Sequence, residues 1–76
     1  MALVLIVDDE PTIRDVLARF VRVAGHDAVS VSDAHSALSA MAVSPPDVVL
    51  CDVHLANGPD GLWLADRIRE RYLQRR

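Results

Sequence analysis

The 76 residues suffice for one small domain or for a piece of a larger one, and a chain this short buries only about 60% of its unfolded surface. A hydrophobic fraction of 51% beside 25% charged residues describes a soluble folded chain rather than a disordered one, and a net charge of −3 gives no argument for nucleic-acid binding. The eight basic residues are all Arg, and the single Cys51 has no partner for an internal disulfide, which fits a reducing, cytoplasmic compartment.

The opening Met1 to Val7 is apolar, but it lacks a basic leader and meets two carboxylates too soon for a signal peptide or a membrane span. Leu3 to Val7 is instead a continuous β-branched run, as expected of a parallel strand buried on both faces. Asp8, Asp9 and Glu10 stop it, and Pro11 stands where a first helical turn tolerates proline. Ile13, Val16, Leu17, Phe20 and Ala24 then recur at helical spacing, with Arg14, Asp15, Arg19 and Arg22 on the other face and Gly25 closing the helix. Ala28 to Val31 makes a second, less apolar strand suited to a sheet edge.

Ser32 or Asp33 can cap a second helix whose apolar stripe is Ala34, Ala37, Leu38 and Met41. Ser44-Pro45-Pro46-Asp47 breaks the chain, and Val48 to Cys51 gives a third buried strand that ends at Asp52. Ala56-Asn57-Gly58-Pro59 is loop chemistry, and Asp60 can cap a last helix with Leu64, Ala65, Ile68 and Tyr72 on its inner face. No repeat, low-complexity stretch or linker interrupts the order β-α-β-α-β-α. Parallel strands need crossovers and helices usually supply them, so the pattern predicts an α/β fold with a parallel sheet.

In such sheets ligands bind at the carboxyl ends of the strands, near the point where strand order reverses. With strand order 2-1-3, Asp8 and Asp9 at the end of the first strand would meet Asp52 at the end of the third. Three carboxylates within a few ångströms repel one another and call for a cation, and oxygen-only ligation suits Mg2+. A carboxylate beside that cation can act as nucleophile toward a phosphoryl group. The bland reading is that Asp9 or Glu10 merely caps the first helix. Asp52 argues against it, because an Asp ending a wholly apolar strand has little capping to do.

Leu5-Ile6-Val7-Asp8-Asp9-Glu10-Pro11 resembles the first strand and acidic pair of response-regulator receiver domains. Val48-Val49-Leu50-Cys51-Asp52-Val53-His54-Leu55, with Gly58-Pro59-Asp60-Gly61-Leu62 behind it, resembles their phosphoacceptor strand and following loop. The resemblance implies a flavodoxin-like (CheY-like) fold and a role in two-component signalling, fed by a histidine kinase, without enzymatic activity of its own. It implies Asp52 as phosphoacceptor and, with Asp9, a direct Mg2+ ligand. Asp8 would reach the metal through water, and the His54 backbone carbonyl would complete the protein ligands.

The departures are Ala56 where the family commonly has Pro, a loop one residue longer around Gly58-Pro59, and Trp63 at a usually polar helix position, where it is expected to be exposed. Receivers continue with two further strands carrying a Ser/Thr and a Lys. Neither is matched here, so the expectation is an N-terminal partial receiver over residues 1–76, truncated after the third helix, whose phosphorylation is inefficient. An unpaired third strand would then favour a homodimer or a swapped oligomer. A haloacid-dehalogenase-like phosphatase with Asp8 as nucleophile is the rival enzyme reading, and a receiver that cannot switch but serves as an interaction module is a third. The remaining signals are bland: His54 a solvent-facing loop residue, His26 and His35 surface residues, Cys51 a small core residue, and the run Arg67, Arg69, Arg71, Arg75, Arg76 the solvated end of a helix.

Overall fold

Five apolar residues in a row leave β1 (Leu3–Val7) with no polar face, so it lies at the centre of the sheet. It pairs in parallel with β2 (Asp27–Val31) on one side and β3 (Val48–Cys51) on the other, giving the order β2-β1-β3. The computed structural model describes residues 1–56 and 58–73, the side chains of Tyr72 and Leu73 excepted. Asn57, Arg75, Arg76 and the Tyr72 side chain, each assigned a place above, lie outside the described residues.

The alternation of β1 divides the core. Leu5 and Val7 face α2 (Ala34–Val43) and α3 (Gly61–Ile68), where Ala34, Ala37, Leu38, Met41, Leu55 and Leu64 complete a closed apolar cluster. Val4 and Ile6 face α1 (Pro11–Val23) and meet Ala18, with Leu17, Val21 and Ala28 packed around them. Ile6, Val7 and Leu64 are the largest fully buried side chains, each contributing about 1.5–3 kcal/mol of transfer free energy.

Of the expected stripe on α1, Leu17 does meet the sheet, but the rest of the stripe does not. Ile13, Val16 and Phe20 are 43%, 45% and 66% exposed, whereas Leu17, Ala18 and Val21 meet the sheet. Two apolar rows lie side by side on this helix, and the row carrying small Ala18 allows the closest approach to β1. Gly25 does close α1: at φ +92° it lets its own N–H reach Arg22 O and that of His26 reach Val21 O, both at the helix end.

β3 is also less buried than its apolar sequence predicts. Val48 and Leu50 are 45% and 40% exposed, and no strand pairs on the far side of β3 among the described residues. On α3, Leu64 and Ile68 turn inward as expected, but Ala65 is exposed, and Trp63 is half-buried rather than exposed. Its indole meets His35 of α2 edge to face at 5.2 Å and lies under the Arg67 guanidinium at 5.5 Å. The helical path continues past α3 as a π-helical turn over Arg69–Leu73, where Arg67 pairs with Glu70 at 2.8 Å. No helix among the described residues is long and apolar enough to cross a membrane.

Candidate functional site

The chain passes from β1 to β2 on one side and returns to β3 on the other, so strand order reverses between β1 and β3. Parallel register pairs Val7 with Cys51, and the ladder runs one step further, Asp52 donating its N–H to Val7 O at 3.0 Å. Asp8 continues the other ladder by donating to Val31 O. The sheet thereby sets Asp8 and Asp52 beside each other at the switch point.

One carboxylate oxygen from each of Asp8, Asp9 and Asp52 lies within 4.8 Å of the others. Each carboxylate also accepts one backbone N–H. Glu10 donates to Asp8 Oδ1 at 2.9 Å, Ala56 to Asp9 Oδ2 at 2.8 Å, and His54 to Asp52 Oδ1 at 3.1 Å. These bonds hold the side chains in place and leave one oxygen of each with no protein donor among the described residues. Asp8 is buried, at 9% exposed, while Asp9 and Asp52 are partly open to solvent. A groove of ≈380 Å³ reaches Asp8 and Asp52 past Leu17 and Leu50. A larger hollow of ≈650 Å³ lies between α1 and β2, lined by Asp15, Arg19 and Arg22, away from the carboxylates.

Like charges gathered this closely repel, and a bound cation would relieve that repulsion. The donor set fits a hard cation: the cluster is oxygen throughout, with no imidazole nitrogen or thiolate in it. The capping explanation for Asp9 fails on geometry, since Glu10 is the N-cap of α1, its side chain makes no cap bond, and Asp9 reaches across to Ala56.

Residues 4–75 match the family of the response regulator receiver domain. This chain is a member of that family. NtrC, a DNA-binding transcriptional regulator of Salmonella typhimurium, is 37% identical over 70 residues, covering 92% of this chain and 15% of NtrC. NtrX from Brucella abortus superposes with a TM-score of 0.91 at 38% identity, over 95% of this chain and 16% of that one. TrrA from Thermotoga maritima, solved with Mg2+ and BeF, superposes with a TM-score of 0.90 at 30% identity, over 96% of this chain and 63% of its own. A further structure holds TrrA in complex with the histidine kinase ThkA. The receiver domain described here thus spans only part of the length of each relative, and it is a signal-transduction module of the two-component type.

Several site features escaped the sequence reading. Arg14, assigned to the solvent face of α1, is half-buried and donates from Nη1 to Asp8 O at 2.7 Å, a charge-assisted bond worth about 1.5–3 kcal/mol. It shares a helical row with Leu17, Ala18 and Val21, which is the signal that was available. Leu55 is buried in the larger core cluster and anchors the loop behind the site. Cys51 is half-buried, as a small core residue should be. Its thiol donates to Asp52 O, and burial, then the charges of Asp52, Asp8 and Asp60, push its pKa up. His54 and His35 are exposed, His35 with its ring against Trp63, while His26 is partly enclosed and its Nδ1 accepts the Ala2 N–H at 2.9 Å.

Proposed function

We propose that this receiver domain accepts a phosphoryl group from a histidine kinase onto Asp52, in a cytoplasmic two-component pathway. The observation that carries the reading is the convergence of Asp8, Asp9 and Asp52 at the switch point. Asp9 and Asp52 would hold Mg2+ directly, Asp8 through water, and the His54 backbone carbonyl would complete the protein ligands. When bound, Mg2+ would offset the negative charge of the carboxylates and of the incoming phosphoryl oxygens. The His54 N–H at Asp52 Oδ1 orients the carboxylate and leaves Oδ2 as the attacking atom. An oxygen–phosphorus bond forms at Asp52 while the phosphorus–nitrogen bond of the kinase phosphohistidine breaks, and the electron pair returns to the imidazole. Arg14 fixes the Asp8 backbone and puts a positive charge beside the site.

The complex of TrrA with its kinase supports the partner class, and TrrA with Mg2+ and BeF supports the cation. Asp8 is the poorer nucleophile for the rival phosphatase reading, being buried where Asp52 is partly open to solvent. The domain is read as a signalling module rather than an enzyme. The interaction-module reading differs in one respect: phosphorylation would leave partner binding unchanged.

Incubation with acetyl phosphate and Mg2+, followed by intact-mass spectrometry, tests the acceptor. A slowly formed adduct of one phosphoryl group is expected, since these 76 residues contain no Lys to share the charge. It should vanish in Asp52→Asn, and an adduct that survives this change overturns the assignment.

A further inference from the structure

Gly61 is buried at the first position of α3, directly behind the acidic site. Its N–H donates to Val53 O at 2.9 Å, which docks the helix on the peptide that follows Asp52. Its φ is not positive, so backbone freedom does not explain a glycine here. Space does. A Cβ at this position would lie 2.5 Å from Asp52 O, 2.8 Å from Val53 Cα and 3.2 Å from the Asp52 carbonyl carbon. Ordinary contact begins at about 3.5 Å, so the helix or the peptide would have to retreat by up to about 1 Å. All three atoms are backbone, and no change of rotamer can relieve them.

We propose that Gly61 is a positioning residue for the cation site: a helix start without a side chain lets α3 press on the Asp52–Val53 peptide and set Asp52 against Asp8 and Asp9. The inference rests on the metal-site reading above. The displaced peptide would lie inside the short loop closed by the His54 N–H to Asp52 Oδ1 bond, so its movement carries both the carboxylate and the His54 carbonyl with it. A small hard cation tolerates little error in ligand position. Ligand atoms gathered within 4.8 Å cannot absorb a shift of this size without loosening the site.

Gly25 provides the control. It sits at the far end of α1 with φ +92° and open space around its Cβ, so Gly25→Ala strains the backbone and lowers stability without touching the site. Mn2+ binding to the metal-free chain, followed by calorimetry beside urea unfolding, separates the two effects. Gly61→Ala is expected to weaken Mn2+ binding at least tenfold while still folded, whereas Gly25→Ala loses stability and keeps wild-type affinity. Wild-type affinity in folded Gly61→Ala overturns the inference while leaving the metal site intact. Failure of the wild type itself to bind Mn2+ overturns both.

If Gly61→Ala does not fold, the wild type still decides. Coupling between helix docking and cation binding is reciprocal, so Mg2+ should slow hydrogen exchange at the Gly61 amide several-fold more than at the Gly25 amide. Equal response at the two amides overturns the proposal.

Discussion

The N-termini of α2 and α3 differ from that of α1, although an aspartate precedes each helix. Asp33 accepts the Ser36 N–H at 2.7 Å and Asp60 accepts the Trp63 N–H at 2.9 Å, so each satisfies a backbone donor of its own helix. α1 begins with Pro11 and has no side-chain cap, while Asp8 and Asp9 converge with Asp52 beside it. One residue type at equivalent junctions thus has two employments. At α2 and α3 it stabilises the fold; at the switch point it gathers like charges that the fold alone has no reason to gather.

The sharpest way to break this comparison is to exchange the roles by mutation. Asp60→Ala should lower stability by about 1 kcal/mol, which in a domain this small is a fall of roughly 4–8 °C in Tm. Asp52→Asn should do the opposite at low salt without metal. It removes one of three clustered charges and keeps an oxygen to accept the His54 N–H, so a gain of up to about 1 kcal/mol is expected, shrinking as salt is added. Urea unfolding of both variants measures the pair, and equal losses would erase the distinction.

A smaller effect concerns pH. The Asp33 carboxyl is held below its usual range, first by the Ser36 backbone N–H and then by the Ser36 side chain. Its folded pKa is therefore depressed, so its stabilising contribution is present above the ordinary carboxylate value of about 4 and is lost as pH falls through the folded value. Asp33→Asn keeps a capping oxygen without the charge. The wild type should lose stability on acidification by a component that this variant lacks, and parallel curves would show that the charge adds nothing to the cap.

The same contrast explains what could be read in the sequence. Caps and strand ends are local, so Leu3–Val7, the Asp33 and Asp60 caps, the Gly25 stop and the buried stripe of α2 were legible from their neighbours alone. The convergence of Asp8, Asp9 and Asp52 was legible because two apolar strands end in carboxylates, and a parallel sheet in the order 2-1-3 brings those ends together. The row of α1 that meets the sheet was not, since two apolar rows compete and small Ala18 decides between them. Leu55, Arg14 and Gly61 were missed for a related reason. Each owes its role to a close approach between parts of the chain that composition and periodicity do not encode.

The most direct test of the central claim is an NMR titration of the metal-free chain with Mg2+. The amides of Asp8, Asp9, His54 and Ala56 should shift together, while that of Ser36, held by the Asp33 cap of α2, stays still. The Asp9→Ala, Asp52→Ala double variant should show no saturable shift at any of them. Equal perturbation in that variant, or an equal response at the Ser36 amide, would contradict the account.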